Sequence, residues 1–305
     1  MASLVMVVSS ANVWTMKNAK PHPTGFWAEE FVTPHRKFTE ARLKVTVASP
    51  GGVAPTVDPL SFNLAYNSND ANKVQEQQSY MKKLGSALTS PMRVEDIDPD
   101  RFDVIFLVGG HGPMQDMAVH PTTGAVLVAM LDNPKKLVAA VCHGPAGLLP
   151  ASRPDGTWAL KDRPLTGFSN EEETPAGFAG NAPWLLGDRL RISGARYIAK
   201  APWTSHAIAD GNLITGQQNH SAVLAAQASY MQVWTMASAR AITGAPSLAS
   251  RMPCRVAEFQ RSAELLPFCG SACVVNNRDR THKPILPVRR FLGWQYTCPF
   301  TFPGD

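Results

Sequence analysis

Apolar and polar positions along the chain fall into short apolar runs separated by longer mixed stretches. Four runs stand out in the first half: Leu4–Val8, Leu43–Ala48, Val104–Val108 and Leu137–Val141. Each is rich in Val, Leu and Ala and too short for a helix, as expected of strands buried on both faces of a parallel sheet. Residues 70 to 90 read as a polar, amphipathic helix and Leu213–Thr215 as a short late strand. The Ala-rich stretch Ser221–Ile242 reads as a closing helix. Alternation of strand and helix is the rhythm of a parallel sheet sandwiched by helices, an α/β fold. No internal repeat is present.

Past Thr243 the pattern dissolves. Residues 243–305 hold seven prolines and four of the five cysteines, with no sustained period of 2 or 3.6. They read as a Pro/Arg/Cys-rich tail, disordered or loosely attached, behind a body of residues 1–242. The pair Cys269 and Cys273 with His282 lacks a second cysteine pair at zinc-finger spacing, so no metal site is expected there.

Charge follows the same division. The tail carries eight Lys or Arg against four Asp or Glu, while the body carries 21 against 20. A near-neutral body offers no basic platform for nucleic acid, and no run approaches the roughly 20 apolar residues of a membrane span. The N-terminus is apolar without a basic leader and reads as a first strand rather than a signal peptide. Cys142 is alone in the body, which argues against a disulfide framework and for a reducing compartment. A cytoplasmic location, with the nucleus admitted, is the expectation.

The run Leu137–Val141 stops at Cys142, and His143-Gly-Pro-Ala follows. A side chain at so sharp a strand-to-helix turn is presented at the carboxyl edge of the sheet, and the small residues Ala140 and Gly144 flank it as such an elbow requires. A thiol at a helix N-terminus is expected to gain thiolate character from the macrodipole. His143 is placed to act as base or cationic neighbour. The run Val104–Val108 ends in Gly109-Gly110-His111-Gly112, which frees backbone amides to face a ligand. The amides of Gly110 and His143 would form an oxyanion hole, with His111 either contacting substrate or sitting idle in its loop. In Gly25-Phe-Trp-Ala-Glu29-Glu30-Phe-Val-Thr-Pro34, apolar neighbours suggest that one glutamate points inward. Buried, it would keep its proton and donate to the sulfur; these residues alone do not separate Glu29 from Glu30. The block Thr166–Glu173 ends in three acids, Glu171, Glu172 and Glu173. One of them would orient His143, completing a Cys–His–acid triad.

Taken in order, these segments resemble the ThiJ/PfpI superfamily of class I glutamine-amidotransferase-like proteins, most closely its glutathione-independent glyoxalase (glyoxalase III) and heat-shock chaperone branch. The matching pieces are Gly25–Pro34, Ala48-Ser-Pro-Gly-Gly52 with Asp58-Pro59, Gly109–Pro113, Ala140–Pro145, Thr166–Glu173 and Asp210–Gln217. The resemblance implies a flavodoxin-like sheet with a nucleophile elbow, with Cys142 as nucleophile and His143 as its base. Pro34 four residues on selects Glu30, and the block's end selects Glu173. Gln217-Gln-Asn-His-Ser221 departs from the branch's Gly-Gln-Asn-Pro-x-Ser pattern at the expected pocket rim, and the tail has no counterpart.

The implied activity is conversion of methylglyoxal or glyoxal to lactate or glycolate, with no cofactor; no complete P-loop or dinucleotide fingerprint is present. Alternatives are a holdase chaperone or protein deglycase acting on unfolded or glycated proteins, with Cys142 as redox sensor, and a cysteine peptidase or amidase. Amidotransferase chemistry is least expected, because the sequence carries no synthetase domain. A homodimer is a further expectation.

Overall fold

The computed structural model describes residues 1–242, so the expectations for the tail, including the cysteines at 269 and 273, lie outside the described residues. One seven-stranded sheet organises the body. Its strands are β1 (Ser3–Val7), β2 (Lys44–Ser49), β3 (Met92–Arg93), β4 (Val104–Leu107), β5 (Leu137–Val141), β6 (Ala207–Asp210) and β7 (Leu213–Gly216), in spatial order β6-β7-β5-β4-β1-β2-β3. The apolar runs of the sequence are β1, β2, β4 and β5. Successive side chains of a strand face opposite sides, and all five of β5 are buried, so the sheet is covered on both faces.

The sheet is not wholly parallel. β6 runs antiparallel to β7, because only Gly211 and Asn212 join them, far too few residues for a crossover. Gly211 takes the left-handed conformation (φ 56°) that so tight a hairpin needs.

Among the helices are α1 (Ala28–Glu40), α2 (Ala71–Leu84), α3 (Pro121–Leu131), α4 (Asn170–Glu173), α5 (Leu186–Ile192) and α6 (Ala222–Ile242). The helix expected over 70 to 90 starts at an Asp70 cap, whose side chain accepts from the amides of Asn72 and Lys73. It ends at Gly85 (φ 50°), and a single turn, Ser86–Thr89, follows. α1 buries Phe31 and Phe38, and Phe38 meets Phe106 of β4 edge-to-face at 5.4 Å. Among the described residues no helix is long and apolar enough to cross a membrane.

Topology fixes where a ligand binds. From β1 the chain builds outward through β2 and β3, then returns to lay down β4 and β5 on the other side. The carboxyl ends of β1 and β4 therefore diverge into a crevice at the switch point. The loop at Gly25–Trp27, the turn Gly109-Gly110-His111 and Cys142 all converge on this edge. Their fit is close. Trp27 donates its amide to Gly109 O at 3.0 Å, and Phe168 donates to Cys142 O at 2.8 Å.

Gly144 lies against the β4 backbone: a Cβ there would sit 2.5 Å from Leu107 O. Gly156 has positive φ but nothing within 4 Å of such a Cβ. Gly144→Ala is therefore expected to cost about 2 kcal/mol or more in urea unfolding, and Gly156→Ala about 1 kcal/mol from backbone strain alone. Equal losses would show that the elbow is not sterically locked to β4.

Candidate functional site

Cys142 sits at φ 59°, in the left-handed region that non-glycine residues avoid. That strain is the mark of an elbow, and it turns the thiol toward the crevice. The following turn, Gly144–Leu148, is a five-residue 3-10 segment rather than the α-helix the sequence suggested. It supplies little macrodipole, and the expectation of a thiolate fails with it. Burial pushes the Cys142 thiol well above its ordinary value, and the adjacent Glu30 carboxyl adds to the rise. The amides of Gly110 and His143 both face the sulfur and oppose the shift, without overcoming it. The resting group is a neutral thiol.

Glu29 and Glu30, inseparable by composition, diverge at the first turn of α1. Glu29 faces outward, 2.6 Å from Lys73 Nζ and accepting from Asn219 Nδ2 at 2.9 Å. Glu30 is fully buried beneath the thiol. Its space exists because residue 109 is glycine: a Cβ there would lie 2.3 Å from Glu30 Oε2 and 2.7 Å from Cys142 Cβ. Burial raises its pKa to about 8, although the nearby Cys142 thiol and Gly109 amide favour the charged form. At neutral pH Glu30 is a carboxylic acid, a donor facing sulfur.

On the other side of the sulfur stands His143, its Nδ1 at 3.3 Å from Cys142 Sγ. Its Nε2 lies 2.8 Å from Glu173 Oε2, and His111 Nε2 lies 2.8 Å from Glu173 Oε1. One buried carboxylate thus bridges two imidazoles. Burial alone would raise the pKa of Glu173, but the His143 and His111 rings outweigh it and hold the group well below the usual carboxylate range. An ionised carboxylate only accepts, so each facing Nε2 carries hydrogen, and His143 Nδ1 presents a lone pair to the thiol. Burial, with His111 as neighbour, lowers the His143 pKa, while Glu173 pulls the other way. The imidazole is neutral and able to take a proton.

Of the three acids of α4, each has its own place. Glu171 is exposed, Glu172 caps the turn through Ser169, and Glu173 reaches the imidazoles. His111 is not idle in its loop: besides Glu173 it stacks on Trp14, ring centroids 4.6 Å apart. Gly110 holds φ 97° with Gly25 O and Trp27 N where a Cβ would fall, so its amide is fixed. Cys142, His143, Glu173, Glu30, Gly110 and His111 are all brought together. The donor atoms of His111, His143 and Glu173 lie within 4.8 Å of one another, close enough to suit a divalent ion. Metal ligation would take His143 and Glu173 away from the thiol, and the 2.8 Å contacts are those of a hydrogen-bonded triad.

Sequence reasoning missed the cavity wall. Leu60, Tyr66, Ala176, Phe178 and Trp203 line the space over the thiol, with Trp27, Phe168 and Asn219. Most stand singly in loops, where no periodicity marks them. Asn219, one of the departures at Gln217–Ser221, does reach the rim, and Gln218 caps the turn before α6 by accepting from Ser221 N.

The profile of the DJ-1/PfpI family matches residues 23–230. The human "Glutamine amidotransferase-like class 1 domain-containing protein 1" is 31% identical over 185 residues, covering 61% of this chain and 78% of that protein. "Glyoxalase 3" of Candida albicans is 26% identical over 235 residues, covering 74% of this chain and 96% of its own. The crystal structure of glyoxalase III from the same yeast superposes with a TM-score of 0.64, covering 76% of this chain and 97% of that one at 24% identity.

Folded and unfolded states hold the Glu30 proton differently. The unfolded carboxyl titrates near 4.5 and the folded one near 8, so the contribution of the buried acid is complete below the lower value and lost as pH climbs toward the higher. Between about pH 5 and 8, wild-type stability is expected to fall relative to Glu30→Gln by up to about 1.4 kcal/mol per pH unit in urea unfolding. Parallel curves would mean that Glu30 is ionised throughout.

Proposed function

The chain belongs to the DJ-1/PfpI family, and from that premise we propose that it converts 2-oxoaldehydes such as methylglyoxal to 2-hydroxy acids without glutathione. The observation that carries this reading is the unbroken sequence of groups Glu30, Cys142, His143, Glu173, in which a neutral acid and a neutral base flank one thiol. The Candida relative named glyoxalase 3 supports it.

The thiol adds to the aldehyde carbon as His143 Nδ1 takes its proton, and the C=O electron pair moves to oxygen. That oxyanion forms beside the amides of Gly110 and His143. The imidazolium, steadied by Glu173, returns the proton to it and leaves a hemithioacetal. His143 next removes the C1 hydrogen. The electron pair becomes the C1–C2 double bond, and the C2 oxygen takes the Glu30 proton. Collapse of this enediol returns the C1 hydroxyl proton to Glu30 and the imidazolium proton to C2, giving a 2-hydroxyacyl thioester. Water, deprotonated by His143, cleaves the thioester and restores the thiol. The sum is one oxoaldehyde and one water to one hydroxy acid, with no net oxidation.

Because the thiol is neutral at rest, proton transfer to His143 must accompany attack, and the acid behind His143 matters more than it would for a preformed thiolate. Incubation with methylglyoxal and no glutathione is expected to yield lactate from wild type and none from Cys142→Ser. Glu173→Gln is expected to lower kcat by about 10² to 10⁴-fold. Absence of lactate from folded wild type would overturn the reading. A Glu173→Gln rate within a few-fold of wild type would remove Glu173 from the mechanism.

A further inference from the structure

A methylglyoxal molecule needs little room beyond its two carbonyl carbons, and the cavity over Cys142, about 40 Å³, is not closed off from solvent, so a larger substituent on the second carbonyl would extend along the wall at its mouth. Its wall is aromatic, built from Trp27, Tyr66, Phe168, Phe178 and Trp203, and no lysine or arginine is among the described residues that line it. Behind Asn219, which donates to Glu29 at 2.9 Å, Glu29 and Lys73 pair with each other at 2.6 Å. A carboxylate or phosphate entering this space would lose water and find no cation in return.

Two of the rings form a shelf leading out from the reacting atoms. Phe168 lies 4.4 Å from the His143 ring, and Trp203 meets Phe168 edge-to-face at 5.8 Å. Trp203 is held there against its own backbone preference, at φ 64°. Its amide donates to Glu172 Oε1 at 2.8 Å, and its carbonyl accepts from His220 Nδ1 at 3.2 Å. Glu172 is itself fixed: Oε1 accepts from Gln217 Nε2 at 3.0 Å, and Oε2 from the amide and hydroxyl of Ser169 at 3.0 and 2.9 Å. Glu172 and Gln217 are fully buried. A strained residue persists only where its surroundings over-determine it, and such residues cluster at ligand sites. The neighbour of the triad glutamate therefore sets the position of a tryptophan over the cavity.

We propose that this site selects 2-oxoaldehydes whose second carbonyl carries an aryl or comparably large uncharged group, with Trp203 as the specificity-determining residue. The proposal rests on Cys142 adding to the aldehyde, as above, and the reaction is the same: phenylglyoxal and water give mandelate, the C1 hydrogen passing to C2.

Steady-state kinetics on the full chain with phenylglyoxal, 4-carboxyphenylglyoxal and methylglyoxal tests it. Wild type is expected to favour phenylglyoxal over methylglyoxal by about tenfold or more in kcat/KM, the worth of one well-placed aromatic contact. Trp203→Ala is expected to erase most of that ratio through KM, and Trp203→Phe to keep it within about threefold. The carboxylated ring is expected to fall about tenfold or more below phenylglyoxal. A wild-type ratio of one or less, or a ratio unmoved in Trp203→Ala, would overturn the proposal. Binding of acetophenone, an aryl ketone without the aldehyde, separates this inference from the catalytic one. If wild type forms no hydroxy acid from any substrate, the glyoxalase reading fails. Acetophenone bound by wild type and by Trp203→Phe but lost from Trp203→Ala would still uphold the aryl shelf, and equal binding by all three would refute it.

Discussion

Glu30 enters the sheet edge from the first turn of α1 and lies against the Cys142 thiol, its own carboxyl out of contact with water and the thiol nearly so. Much of the site follows from that contact. A carboxylate so enclosed is costly, so the group keeps its proton up to about pH 8 and becomes a hydrogen-bond donor. The space for it requires glycine at 109. The same burial leaves the sulfur as a thiol, which makes a separate base necessary. In the proposed reading His143 with Glu173 is that base. In the proposed chemistry the pair of neutral groups around the sulfur delivers and removes protons without separating charge in the resting site.

The scaffold holds these groups through backbone rather than side-chain packing. β1, β4 and β5 end at one edge, and the loops after them interlock by amide-to-carbonyl bonds such as Trp27 to Gly109 and Phe168 to Cys142. Gly110 and Gly144 allow contacts that any side chain would prevent. Precision at the thiol is therefore a property of turn geometry, and the helices behind it contribute mainly by covering the sheet. Outside this rigid centre, Glu172 performs the analogous task for the cavity wall.

Much of this was legible in the sequence. Buried parallel strands announce themselves as continuous apolar runs, and β1, β2, β4 and β5 emerged within a residue or two. The convergence of Cys142, His143 and the Gly-rich turn followed from the rule that such strands end at one edge. What was not legible depends on three-dimensional enclosure. Glu29 and Glu30 have the same chemistry, and only burial separates them. The thiol's protonation was misjudged because the residues after Cys142 suit a helix start but close into a 3-10 turn, while desolvation leaves no periodic trace. The hairpin of β6 and β7 hid in a two-residue Gly-Asn link. Trp203 and its buried tether to Glu172 depend on contacts between residues 31 positions apart, which no local pattern encodes.

The central claim, that Glu30 is a neutral acid at the sulfur near pH 7, is most directly tested by carboxyl ¹³C NMR of glutamate-labelled protein, with Glu30→Gln identifying the resonance. The account predicts a titration midpoint near 8. A midpoint near the ordinary 4.5 would place a carboxylate beside the thiol and contradict it.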